Sequence, residues 1–294
     1  MAQLLPSLRF RFSFLSAGKA FLVLSFFLLL SGCTTKFAYN NADWLIHWYL
    51  DDYIDLNKNQ RNQFDESFSA FISWHRKEEL PRYLDWLKSI KAQLEDQTLS
   101  EQELFLGIQQ ANEQLFTFTR RLIDKAKPEL QSLAATFTEK QKKRLVSALE
   151  KKTDETAKRF AKLKTIESQR KEYRQNFQEQ IRERFGKLTR EQLRQLDQWQ
   201  QQIIPAFSQQ LEARREWSRR LSVAFSHPAV SLMPLLSSER PWQSGEFKEL
   251  IIHNRTLSEE FVAYMLATRT PKQHKKLMKE LNKLIRTIES LQGK

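Results

Sequence analysis

The chain has 294 residues, a formal net charge of +13 and one cysteine, Cys33, so it can build one large or two small cores and no internal disulfide. Six glycines in the whole chain starve a β-fold of turns, while Leu, Lys, Gln, Glu, Arg and Ala dominate and suit helices. The expected fold is therefore all-α, an elongated bundle of long helices. The positive excess points to anionic lipid heads, lipopolysaccharide, cell-wall polymer or acidic client proteins.

The N-terminus reads as an export signal. Residues 1–19 carry Arg9, Arg11 and Lys19 and no acid, and residues 20–30 are an apolar run. That run is far short of the roughly 20 residues a membrane-spanning helix needs. It ends in Leu30-Ser31-Gly32-Cys33, which resembles the lipobox of bacterial lipoproteins. The resemblance implies that residues 1–32 are removed as a lipoprotein signal peptide and that Cys33 carries the lipid. Two or more acyl chains hold a protein on a bilayer stably where one does not. Thr34, in place of Asp, implies by the same resemblance an outer-membrane lipoprotein facing the periplasm. A nucleic-acid partner is not expected there.

Residues 33–55 are read as the lipidated Cys, a short tether and a short aromatic and acidic helix over 43–55, with Asp51 and Asp55 four residues apart on one face. Such carboxylates either hold a cation or answer Arg and Lys across the bundle. Leu56-Asn57 opens a helix toward Pro81, and a second piece runs from Pro81 to about Gln97. Ser100 with Glu103 is a capping box for a helix reaching about Lys127. Pro128 restarts a short helix. Thr138 opens a very long one ending near Gly186, roughly 70 Å at 1.5 Å per residue. Its apolar stripe is Phe160, Leu163, Ile166, Tyr173, Phe177, Ile181 and Phe185. Thr189 opens a further helix with a kink at Pro205. Residues 227–243, with Pro228, Pro234 and Pro241, are irregular, and helices over 246–267 and 271–291 close the chain.

One motif recurs four times: Leu56-Asn57-x-x-Gln60, Phe137-Thr138-x-x-Gln141, Leu188-Thr189-x-x-Gln192 and Arg269-Thr270-x-x-Gln273. Locally each is a helix start, with Asn or Thr as N-cap and Gln reaching back to the N-cap N–H. The first pair and the second pair share one internal spacing, which implies two tandem repeats of a helical hairpin unit offset by 132 residues. Residues 134–151 and 266–283 match at nine of 18 positions, among them Thr136, Thr138, Gln141, Leu145 and Leu149. The expected organisation is 1–32 signal peptide, 33–55 anchor and short helix, 56–187 first repeat and 188–294 second repeat.

Paired L-T-x-x-Q motifs in a basic, helical, exported chain resemble the Spy/CpxP family of periplasmic chaperones and stress sensors. That resemblance implies a bent helical hairpin unit and a basic cradle for clients. Only Leu188-Thr189-x-x-Gln192 matches the motif in full. Tyr39-Asn40-x-Ala42-Asp43-Trp44-Leu45 with Leu50-Asp51-Asp52-Tyr53 resembles a family of uncharacterised Gram-negative lipoproteins.

The five histidines, His47, His75, His227, His253 and His274, form no metal-spaced pair. No G-x-S-x-G, Walker loop or G-x-G-x-x-G is present. No enzyme activity, metal or cofactor is expected. His75-Arg76 beside Trp74 reads as packing. The expected function is a lipid-anchored periplasmic helical binding protein, chaperone-like or stress-related, whose partner is an unfolded or envelope protein. The alternative is a structural or accessory lipoprotein of an envelope complex.

Overall fold

The structure, a computed structural model, describes residues 32–227, 230–240 and 243–292. Residues 1–31, where the export signal is expected, the side chain of Cys33 and residues Pro228 and Pro241 lie outside the described residues. In chain order the helices are α1 (Gly32–Asn40), α2 (Ala42–Leu50), α3 (Lys58–Trp74), a π-helical turn (His75–Glu79), α4 (Leu80–Glu95), α5 (Glu101–Ala135) and α6 (Glu139–Phe160). They continue with α7 (Ile166–Phe185), α8 (Arg190–Gln202), α9 (Phe207–Ser226), a 3₁₀ turn (Met233–Leu236), α10 (Gly245–Ala267) and α11 (Pro271–Gln292). The fold is an all-α bundle, and no strand occurs among the described residues.

Side-chain caps start these helices where the sequence places them. Asn57, Ser100, Thr138 and Thr189 each accept a hydrogen bond from the N3 backbone, and the N3 side chain returns one. Several interior readings are corrected. The long helix from Thr138 breaks at residues 161–165, because Thr165 and Ser168 form a capping box that starts α7 anew. Ile166, assigned above to the apolar stripe, is 63 % exposed as a result. Pro128 does not restart a helix: α5 runs through it. Pro81 does not end one either. Helix runs unbroken from Lys58 through the π turn to Glu95, and the wider turn just before Pro81 makes room for its ring.

Pro205 ends a helix rather than kinking it. Ile203 is extended and buried, and the backbone of the 203–206 linker is met by side chains. Arg170 donates to the Ile203 carbonyl at 3.0 Å, while Asn254 accepts from the Ile204 N–H at 3.0 Å and donates to its carbonyl at 2.7 Å. The tether is helical too: α1 packs on α11, and the Tyr39 hydroxyl lies 2.9 Å from His75 Nδ1. The aromatic and acidic helix stops at Leu50, so Asp51 and Asp55 do not share a helical face.

Elements 132 positions apart begin and end together. Helices α3 and α8 start at Lys58 and Arg190, α5 and α10 end at Ala135 and Ala267, and α6 and α11 span Glu139–Phe160 and Pro271–Gln292. The tertiary pairing is reciprocal. Helix α5 packs on its counterpart α10. Helix α6 packs on α9, and α11, the counterpart of α6, packs on α4. This is the contact pattern of two units related by a two-fold axis, here within one chain. The main core crosses both halves: Leu87 of α4, Ile181 of α7, Leu196 of α8 and Met265 of α10 are fully buried in it. Phe177 of α7 stacks on Trp199 with ring centroids 4.4 Å apart.

Candidate functional site

The four repeated motifs come together in two pairs. Gln60 and Gln141 exchange amide hydrogen bonds at 3.1 and 2.6 Å, and Gln192 and Gln273 do so at 3.1 and 2.8 Å. Each first Gln also donates to a carbonyl at the end of the long helix that precedes the second motif, Thr136 at 2.9 Å or Thr268 at 3.3 Å. Each second Gln donates to the chain before the first motif, at Asp55 or Lys187. The N-caps are Asn57, Thr138, Thr189 and Thr270, and each exchanges hydrogen bonds with its Gln. All four Gln side chains are buried. A pair in which every amide group is bonded inside the fold has nothing left for a ligand, so the motifs are latches that close each hairpin.

The acidic group resolves into separate ion pairs. Asp51 meets Arg61 at 3.4 Å, Asp52 meets Lys152 at 3.7 Å, and Asp55 meets Arg144. No group of three or more His, Cys, Asp or Glu able to hold a metal occurs among the described residues. His47 sits between Asp65 and Arg61. His75, in the π turn, packs against Tyr39, Phe71 and Tyr83, and burial pulls its pKa down to about 4 against a smaller opposing pull from Glu79. Glu79 is fully buried and is held by Arg121 at 2.6 Å.

One feature that can receive a ligand is a mainly apolar cleft of about 610 Å³ between α6 and α9, closed at one end by α2 and at another by the 3₁₀ turn. Ligand pockets run about 300–1,000 Å³. Its walls are mainly apolar, with Leu145 and Leu149 of α6 facing Trp217 and Leu221 of α9. Four cationic side chains, Lys152, Arg159, Arg214 and Arg240, line it against one carboxylate, Glu155, which lies 4.0 Å from Lys152. Burial lowers the pKa of Arg214, and the like charge of Arg159 lowers it further, although Tyr53 opposes. Burial alone lowers that of Arg240. Arg240 has a backbone φ of 49°, in the left-handed region that a side-chain-bearing residue rarely adopts.

The reciprocal fold places a second crevice opposite the first, between α11 and α4. Leu277 and Leu281 stand there as the counterparts of Leu145 and Leu149, and Leu284 as the counterpart of Lys152. That crevice is filled: Phe177 and Phe185 of α7 enter it, and only about 230 Å³ remains. At the repeat offset α7 corresponds to residues 34–53, and Tyr49 and Tyr53, the counterparts of Ile181 and Phe185, line the α6/α9 side, but the buried apolar cluster there is limited to Leu221, Ala224 and Leu235 and the larger space stays open. The cleft was not found from sequence, because it depends on which helices face each other. Its local signs are the exchanges at the repeat offset of Leu284, Ile285, Ile288 and Leu291 for Lys152, Thr153, Thr156 and Arg159.

No helix among the described residues is long and apolar enough to cross a membrane. Large exposed aromatics are concentrated beside the proposed lipid site. Phe37, Trp44 and Trp48 are each more than 60 % exposed, and no other Phe or Trp among the described residues is comparably open.

Comparison with known proteins places residues 52–238 on the model of DUF6279, a family of unknown function, and the chain belongs to that family. No curated protein and no solved structure matches the chain.

Proposed function

We propose that this member of a family without an assigned activity is an exported lipoprotein, acylated on Cys33, that faces the periplasm from the outer membrane and binds apolar partners in the α6/α9 cleft. The observation that carries the binding reading is the cleft itself: an apolar crevice left open while its counterpart is filled by α7. The lipobox supports the anchor. Phe37, Trp44 and Trp48 support it independently, since aromatic side chains favour the bilayer–water boundary. A chaperone-like role draws support from the resemblance to Spy/CpxP, although here the motif residues are buried and the binding surface lies elsewhere.

The anchor is tested by intact mass and by fractionation. The wild-type mature chain is expected to begin at Cys33 with added acyl mass, and Cys33→Ser to leave the membrane fraction. The chaperone version is tested with the full mature chain carrying Cys33→Ser. It is expected to suppress aggregation of a chemically unfolded client at about equimolar ratio, and Leu149→Trp, which fills the cleft, is expected to lose that effect. Suppression unaffected by Leu149→Trp would sink the cleft as the client site.

The alternative is a structural or accessory subunit of an envelope complex. It draws support from the single core shared by both halves and from the docked, slack-free α1. It predicts that crosslinking in cells returns one specific partner.

A further inference from the structure

We propose that the α6/α9 cleft holds a single-chain anionic amphiphile, an acyl chain ending in a carboxylate or a phosphate, with the chain along Leu145, Leu149 and Leu221 and the head group at Arg159, Arg214 and Arg240. This rests on the reading of the cleft as a binding site and adds the class of ligand.

Three observations lead there. The first is shape and apolarity. The α11/α4 crevice is completed by two phenyl rings of α7, so a crevice of this construction is stable when apolar matter fills it. The open crevice presents the corresponding leucines to a space of about 610 Å³, although Tyr49 and Tyr53 stand at the counterpart positions of Ile181 and Phe185 on its lining. The second is charge. Four cations face one carboxylate, and that carboxylate is already beside Lys152. A purely apolar occupant would strip water from these cations and return nothing. Among the described residues no carboxylate or hydrogen-bond acceptor meets the Arg240 guanidinium, and the backbone beneath it is held left-handed. An anionic head supplies the missing acceptor, and guanidinium groups take carboxylate or phosphate oxygens in a two-pronged geometry. The third is polarity. A bound peptide brings a backbone N–H and C=O with every residue, and each must be paired. Along Leu145, Leu149 and Leu221 the wall offers no side-chain partner for these groups, whereas an alkyl chain requires none.

The test uses the full mature chain with Cys33→Ser, delipidated, and measures displacement of a fluorescent fatty acid. Palmitate and 1-palmitoyl lysophosphatidate are expected to displace the probe at one equivalent. Comparing the two distinguishes a free fatty acid from a phospholipid-derived source. Hexadecanol is expected to bind about tenfold or more weakly, the scale of one lost charge-assisted hydrogen bond. The pair Arg214→Gln and Arg240→Gln is expected to weaken both anions by about tenfold or more, leave hexadecanol within about threefold, and leave the melting temperature unchanged or raised. Leu149→Trp is expected to abolish binding of all three. Equal binding of palmitate and hexadecanol, or undiminished anion binding by the Gln variants, overturns the inference. Capture of an apolar peptide without any of the amphiphiles overturns it as well, while leaving the cleft a binding site. No binding of either kind overturns both readings.

Discussion

Gln192 is fully buried, yet its amide is bonded at every point: to Gln273, to Thr268 and to the backbone of its own N-cap. Such a residue is unforgiving. Gln192→Leu strands the Thr189 N–H and part of the Gln273 amide, and each buried group left unsatisfied costs about 1–3 kcal/mol. The urea midpoint is expected to fall with an unchanged slope. Because the two Gln side chains share their bonds, Gln192→Leu with Gln273→Leu is expected to cost less than the sum of the single changes. His75 offers a residue-scale prediction in pH. Its folded pKa, about 4, lies below its ordinary value of 6.5, so the unfolded chain binds the proton more readily. The neutral, buried imidazole therefore contributes its full stability above pH 6.5, and that contribution falls away as the pH drops from 6.5 toward 4. The loss is on the order of 3 kcal/mol. His75→Phe is expected to flatten this part of the stability–pH curve, measured by urea unfolding at successive pH values.

Among the elements, what was legible in the sequence was what is local. A cap is written in four adjacent residues, so the starts of α3, α5, α6 and α8 follow directly from Asn57, Ser100, Thr138 and Thr189. The break at 161–165 was harder to see: it contains no Gly or Pro, and its capping box uses Ser168 where Glu or Gln is usual. The prolines misled in the other direction. Pro128 lies exposed on a helix held from both sides by α3 and α10, so tertiary packing outweighed the local cost. The 203–206 linker was misread because its hydrogen bonds come from distant residues, Arg170 and Asn254. Asn254→Ala is expected to cost about 1–3 kcal/mol through the two stranded groups of Ile204. Hydrogen exchange should show faster protection loss at 203–206 than in α10 itself.

At the scale of the whole molecule, the two halves are not separable bodies. Helix α4 of the first half leans on α11 of the second, and α6 on α9, so each half lacks the partner that covers its own apolar faces. We infer from the shared helix ends and the twin Gln latches that the halves arose by duplication of a unit that paired with its own copy. Calorimetry of the intact chain is expected to show one cooperative transition. Residues 56–187 expressed alone are expected to pair with themselves or to expose core and bind a hydrophobic dye. A compact, monomeric fragment would argue against the shared core. The repeat was readable at its ends, where nine of 18 residues coincide. Its middle was not, because the segment that corresponds to α7, residues 34–53, is split into α1 and α2 with Tyr49 and Tyr53 where α7 has Ile181 and Phe185, and the two crevices have diverged accordingly.

The helical docking of α1 has a mechanical consequence. Eight extended residues make a leash about 27 Å long, whereas the same eight wound into a helix advance only about 12 Å. Pinned to α11 and to His75, they leave no slack. A lipid on Cys33 would then act as a pivot pin instead of a leash. The body could spin about the membrane normal and drift in the plane, but it could not reach away from its leaflet. The cleft would stay within a short, fixed reach of the bilayer, and its encounters would be governed by surface density rather than by concentration in the surrounding volume.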